Sequence, residues 1–303
     1  VSDDSRPILC LGEAIVDLIC ERRLEPGEAP DAFLPHHGGA LPNVAAAAVR
    51  GGAKAALVGG VGSDHWGRWL IEGLRTEGVE TQWIAVLEQT RTPLAVALFD
   101  SSGEPAFQIY GEHIGPTMAA SKAHLEAATE AGQALVVGAN TMVGPTEREV
   151  TRKAMRLAGE AGLPVLLDPN HRPTRWEKEE TAIRYTLELV RQATVLKCNR
   201  EEATFLSGEE QPLAAARALA ALGPRLVVVT DRGDRIVTAG ETEASWTPEE
   251  VNVVSPLGAG DAFMGSLAAG LAGLGWDFSR VGEVLPQAAR DATGCCRYWG
   301  ARP

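Results

Sequence analysis

Val254-Ser255-Pro256-Leu257-Gly258-Ala259-Gly260-Asp261-Ala262-Phe263 is the stretch around which the chain is organised. The β-branched residues Val251, Val253 and Val254 predict the end of a strand. Three small residues follow, and an apolar, small-residue helix is expected from near Ala262. Gly258, Ala259 and Gly260 carry almost no side chain, so their N–H groups, with those of the first helical turn, can approach a polyphosphate closely. The positive end of the helix dipole points the same way. Asp261 stands at the rim of this anion hole, where a carboxylate can take a proton from a hydroxyl attacking a γ-phosphate. A helix cap behind a tight glycine turn accounts for the same residues, so the rest of the chain must decide.

Upstream, four short apolar runs recur: Leu135-Val136-Val137-Gly138, Val165-Leu166-Leu167-Asp168, Thr194-Val195-Leu196-Lys197 and Leu226-Val227-Val228-Val229-Thr230. Helix-period segments near 145–161, 178–191 and 212–222 separate them. Repeated βαβ units with nearly continuous apolar strands predict a mostly parallel sheet covered on both faces, a three-layer, doubly wound α/β fold. Ligands of such sheets lie at the carboxyl ends of the strands. The runs end in polar residues: Asp168-Pro169-Asn170-His171-Arg172, Lys197-Cys198-Asn199-Arg200-Glu201-Glu202, and Thr230-Asp231-Arg232-Gly233. Asn199 and Glu202, three apart at a helix start, suit phosphate binding and a water-mediated Mg²⁺ contact; an N-cap with a first-turn Glu has the same spacing.

In the N-terminal half, 8–12 predicts a buried strand, and 14–19 is a second apolar run interrupted by Asp17. A carboxylate there either points to solvent or needs a hydrogen-bonding partner such as a hydroxyl. Gly38 and Gly39 allow close backbone approach and hinging, and Asn43, ahead of a helix over 44–49, either caps it or binds a hydroxyl. The glycine-rich segment 59–67 is not a dinucleotide fingerprint, because His65 stands where a glycine is required. Residues 92–99 and 106–110 alternate as strands around the turn 100–104. With 14–19 and part of 33–37 they predict a small separate sheet that closes over something, or else an edge of the main sheet.

A length of 303 residues with 45% hydrophobic content suits one main domain over 1–303. The net charge of −12 argues against a nucleic-acid or anionic-membrane surface. The uncharged stretch 262–276 is too short and glycine-rich for a membrane span. Five cysteines without C-x-x-C spacing and no charged-then-apolar leader lead to an expectation of reduced thiols and a cytoplasmic location.

Gly258-Ala259-Gly260-Asp261 resembles the end of the C-terminal signature of the PfkB, or ribokinase-like, carbohydrate kinases, Asp-Thr-x-Gly-Ala-Gly-Asp. Gly38, Gly39 and Asn43 resemble that family's Gly-Gly-x-x-x-Asn, and 199–202 its Asn-x-x-Glu. Thr230 resembles the Thr of its T-x-G-x-x-G nucleotide loop, with Arg232 and Arg235 in the glycine places. The resemblance implies a ribokinase-like fold whose small sheet, over 14–37 and 88–113, is a lid on the sugar and a possible homodimer surface. It implies that Asp261 is the catalytic base, with Gly258, Ala259 and Gly260 as its anion hole, and that Asp17, Gly38, Gly39 and Asn43 bind sugar. It further implies that Asn199, Thr230, Gly233, Gly258 and Gly260 contact ATP, and that Glu202 acts on Mg²⁺ through water. Ser255 stands where the family has a cation-binding Asp, so the resemblance does not extend to monovalent-cation activation. The opening from Gly12 to Leu18 and the segment Asp168-Pro169-Asn170-x-Arg172-x-x-x-Trp176 look most like bacterial fructokinases, with Arg172 on the substrate. Fructose is therefore the expected acceptor of the γ-phosphate of ATP. A 2-keto-3-deoxygluconate or nucleoside kinase, or a sugar-binding homologue with impaired catalysis, is the alternative.

Overall fold

The computed structural model describes residues 6–110, 112 and 114–301; Gly111 and His113, at the end of the expected lid segment, and Arg302 and Pro303 lie outside them. Among the described residues thirteen strands form two sheets. The larger contains β1 (Ile8–Leu11), β4 (Ala55–Gly62), β5 (Ile84–Leu87), β8 (Ala134–Gly138), β9 (Val165–Asp168), β10 (Val195–Asn199), β11 (Leu226–Asp231), β12 (Arg235–Gly240) and β13 (Ser245–Trp246). Its order is β13-β12-β11-β10-β9-β8-β1-β4-β5. Pairing is parallel from β5 to β11 and antiparallel at β11–β12 and β12–β13.

Strand periodicity divides the apolar residues between two layers. Ile8, Cys10, Val136 and Val228 pack with the helices Ala40–Arg50, Ala259–Gly273 and Val281–Cys295. Leu9, Leu11, Val137 and Val229 pack on the other face, with Pro145–Glu160 and Pro212–Ala220. Both faces being covered is why the runs read as continuously apolar.

The smaller sheet has the order β3-β2-β6-β7, from β2 (Ile15–Leu24), β3 (Leu34–Gly38), β6 (Leu94–Asp100) and β7 (Pro105–Tyr110). It is separate from the main sheet rather than an edge of it. Asp100 organises the β6–β7 turn by accepting from the N–H groups of Ser102 and Glu104 at 2.9 Å each. Ile19, Ala97 and Phe99 form its buried apolar cluster with Leu257 of the glycine turn, and Trp299 and Phe107 pack against that cluster. The rings of Phe99 and Trp299 meet edge to face with centroids 5.0 Å apart. The small sheet thus rests on the glycine turn itself.

Two local expectations are corrected. The described residues 251–254 form no strand: the N–H groups of Val254 and Ser255 both go to the carbonyl of Cys296, at 2.8 and 3.2 Å, instead of to a ladder. The following helix begins at Ala259, not near Ala262, because Gly258 at φ 76° turns the chain sharply enough for the Ala262 N–H to reach its carbonyl at 2.8 Å. The last helix runs Val281–Cys295. The Cys296 carbonyl taken by Val254 and Ser255 is lost to helix continuation.

Phe99 is fully buried, and truncating it removes the centre of the small-sheet cluster. Phe99→Ala is expected to lower the unfolding free energy by about 3 kcal/mol in chemical denaturation. A loss below about 1 kcal/mol would show that this cluster does not hold the sheet.

Candidate active site

Gly258 adopts the left-handed conformation ahead of the helix Ala259–Gly273. A Cβ there would lie 2.3 Å from Cβ of Ala301, and one on Gly260 would lie 2.9 Å from Nζ of Lys197. The turn therefore admits no side chain at Gly258, and one at Gly260 would displace the buried Lys197 ammonium, so its peptide groups stay bare. Asp261, in the first helical turn, is 8% exposed and lines a cleft between the glycine turn and the small sheet.

Two amides hold its carboxylate. Nδ2 of Asn43 donates to Oδ2 at 2.9 Å, and Nδ2 of Asn170 donates to Oδ1 at 3.2 Å. The helix carrying Asn43 starts at Ala40 with Gly39 as its N-cap, so Asn43 lies a turn inside and does not cap it. Its Oδ1 is buried with no hydrogen-bond partner among the described residues, and Asn43 lines the cleft. Asn170 sits at φ 45°, a conformation Asn tolerates, in the loop leaving β9. Burial pushes the Asp261 carboxyl up to about 6; the Asn43 hydrogen bond opposes this, the Asp168 carboxylate adds to it, and Arg172 and Lys197 oppose it.

Beneath Asp261 the ends of β9 and β10 build a buried charge network. Lys197 donates to Oδ2 of Asp168 at 2.8 Å. Burial alone would lower the Lys197 ammonium, but Asp168, Glu202 and Asp261 outweigh it and the net direction is up. Glu202 accepts from the His171 N–H at 2.7 Å and the Asn199 N–H at 2.9 Å, while Asn199 Oδ1 accepts the Glu202 N–H at 2.8 Å. The capping-box geometry is therefore present. It fixes Glu202, which is 7% exposed, without consuming all the lone pairs of its carboxylate. Among the described residues no cluster of three or more His, Cys, Asp or Glu is placed to hold a metal ion.

Asp17, Gly39, Asn43 and Arg172 line the cleft with Asp261. Gly38 leaves room for Asp17: a Cβ there would lie 2.4 Å from the Asp17 Cγ. The Arg172 guanidinium carbon lies 5.6 Å from the Phe107 ring centroid on the small sheet. The structure does not bring every expected residue into this cleft. Asn199 and Glu202 line a second cavity, of about 520 Å³, with His171, Trp176 and Phe205. Thr230 is the penultimate residue of β11, where its hydroxyl donates to the Cys198 carbonyl at 3.5 Å. Gly233 is in the exposed turn to β12 at φ 89°. Arg232 is exposed and bonded to Glu201 at 2.9 Å.

Sequence reasoning missed Glu13, Asn140, Asn170 and Lys197 as site residues. Glu13 is 3% exposed; its Oε1 accepts from Asn140 and its Oε2 has no partner among the described residues. Burial holds its carboxyl above the ordinary range, with Asn140, Arg175 and Arg172 opposing. A buried acid directly after Gly12 was the available signal.

A nine-stranded α/β sheet thus brings a bare glycine turn and a buried acid together at one helix start. Comparison with known proteins adds the family: the model of the pfkB family carbohydrate kinases matches residues 5–296. The chain is 30% identical over 269 residues to fructokinase-2 of Oryza sativa subsp. japonica, covering 88% of this chain and 80% of the relative. The solved fructokinase with bound ATP from Xylella fastidiosa is 28% identical with a TM-score of 0.83, covering 98% of this chain and 94% of that one. A double mutant of Vibrio cholerae fructokinase, solved with fructose, ADP and potassium ion bound, is 27% identical with a TM-score of 0.82, covering 100% and 96%. The chain belongs to the pfkB family of carbohydrate kinases, and its activity is that of a sugar kinase.

If Asp261 is the group that must be ionised for turnover, kcat/KM rises with pH through about 6 and then levels off. Asn43→Ala removes a hydrogen bond that favours the carboxylate, so the acid limb of a pH–rate profile should move upward. A limb that stays near pH ~4 in both proteins would remove Asp261 from the rate equation.

Proposed function

We propose that the chain transfers the γ-phosphoryl group of ATP to a hydroxyl of a neutral sugar, with fructose as the preferred acceptor. The observation that carries this reading is the position of Asp261, which lies both at the glycine turn and in the cleft, held by Asn43 and Asn170. In the proposed reaction the sugar lies under the small sheet, its hydroxyls exchanging hydrogen bonds with Asp17 and with the unpartnered Oδ1 of Asn43. Gly38 and Gly39 keep the entry to that pocket open. Asp261 takes the proton of the attacking hydroxyl. The bare amides of Gly258, Ala259 and Gly260, at the positive end of the helix, receive the charge that builds on the transferred group. Phosphoryl transfer depends on positioning and charge stabilisation, so no covalent nucleophile is needed.

ATP is proposed to extend from this turn toward Asn199, Thr230 and Gly233. Mg²⁺ bound to its phosphates would neutralise charge there, and Glu202 would hold the water of that ion. The His171 and Asn199 N–H groups fix the carboxylate for that purpose.

The choice of a neutral sugar follows from charge. Glu13, Asp17 and Asp261 line the cleft, and among its described lining residues only Arg172 is cationic. An acid sugar such as 2-keto-3-deoxygluconate would meet net repulsion. Fructose is supported by the fructokinase relative and by the fructose-bound solved relative. We place the enzyme in the cytoplasm, where its free cysteines stay reduced; no helix among the described residues is long and apolar enough to cross a membrane. Leu34 on β3 and Tyr110 on β7, both about half exposed, are the apolar groups a second copy would cover in a homodimer through the small sheet.

An ADP-release assay across ketoses, aldoses, acid sugars and nucleosides should give the highest kcat/KM with fructose. Highest turnover with an acid sugar would overturn the charge argument. Asp261→Asn should lower kcat about a hundredfold or more while leaving ATP affinity within about threefold; retained turnover would remove the base assignment.

A further inference from the structure

The glycine turn is fastened from behind by the last segment of the described chain, and the fastening centres on one sulfur. Sγ of Cys295 lies within hydrogen-bond reach of two backbone oxygens, those of Leu257 at 3.2 Å and Ala301 at 3.4 Å, between which its single proton is shared. Both belong to the wall that shapes the anion hole: Leu257 precedes Gly258, and Ala301 is the residue against which Gly258 packs. The Cys296 carbonyl pins the same stretch by accepting from Val254 and Ser255. Ser255 is fully buried, and its hydroxyl oxygen accepts the Leu257 N–H at 3.2 Å.

Two carbonyl oxygens within 3.4 Å of one atom favour a positive partner there, either a proton donor or a small cation. A relative of similar fold has been solved with potassium ion bound, so a monovalent ion is a real alternative. The donor set here does not fit one. Ser255 contributes no negative charge, and the Cys295 sulfur already stands within 3.4 Å of both carbonyl oxygens. Burial first, then Asp261 and Cys296, push the Cys295 thiol up to about 12, so it keeps its proton at neutral pH and can donate.

We propose that the Cys295 thiol, in place of a bound monovalent cation, bridges the Leu257 and Ala301 carbonyls, making Cys295 a positioning residue for the anion hole and turnover indifferent to potassium. This rests on the phosphotransfer reading above. Cys295 touches neither substrate; it acts through the turn that does.

The test compares wild type, Cys295→Ala and Cys295→Ser in potassium chloride and in choline chloride at equal ionic strength, reading kcat, sugar KM and thermal midpoint. Wild type should turn over equally in the two salts within about twofold, with the same midpoint. Cys295→Ala leaves two buried carbonyls without a donor and should lose about tenfold in kcat with sugar KM little changed. Cys295→Ser retains a donor and should recover to within about threefold of wild type. Activation of wild type by potassium of about tenfold or more would overturn the proposal, as would an Ala variant as active as wild type. If Cys295→Ala does not fold, the wild-type comparison alone still decides. If no acceptor supports ADP release in either salt, the kinase reading fails instead. The thermal midpoints then decide the bridge: potassium raising that of wild type contradicts it, and an Ala deficit repaired by Ser sustains it.

Discussion

A carboxylate with little water around it, kept in place by two amide N–H groups, is the constraint on which the rest of this molecule depends. Burial favours the neutral form of Asp261, and the Asn43 hydrogen bond favours the charged one. The balance sets an acid strength near neutrality, where a carboxylate is both ionised and basic enough to accept a proton. Neither amide is local. Asn43 comes from the helix that follows β3 and Asn170 from the loop after β9, so the site exists only once the two ends of the chain and its middle have met.

The main sheet makes that meeting possible. Its parallel strands deliver Asp168, Asn170, Lys197 and Glu202 to one edge, where the helix Ala259–Gly273 also begins. The Lys197–Asp168 pair is buried and would be costly if either partner were missing. Its place is directly under Gly260, where a Cβ would press on the ammonium. The bareness of the turn and the charge below it are therefore one design. The small sheet closes the other side through Phe99, Leu257 and Trp299, so the packing that holds the sheet also fixes the approach to the glycine turn.

Much of this was legible in the sequence. The buried strands β8 to β11 announced themselves as uninterrupted apolar runs, and the hairpin of β6 and β7 by alternation around an Asp-Ser-Ser-Gly turn. The glycine turn was legible because three small residues precede an acid at the start of an apolar helix. Partnerships between distant residues were not. Lys197 looked like the polar end of a strand, and nothing in its neighbours reveals that Asp168 lies 2.8 Å away. Asn43 looked like a helix cap because the glycines before it hid the true helix start at Ala40. Residues 251–254 looked like a strand because β-branched composition signals extension, whereas a ladder partner is a tertiary fact. The Cys295 contact, across 38 residues, had no sequence signal.

The ionisation of the Asp261 carboxyl can be measured without substrate. In protein labelled with ¹³C at the aspartate carboxyl carbons, with Asp261→Asn identifying the resonance, a pH titration of the free enzyme should show Asp261 ionising at about 6. Titration of that resonance near ~4, as for an aspartate in water, would contradict the account.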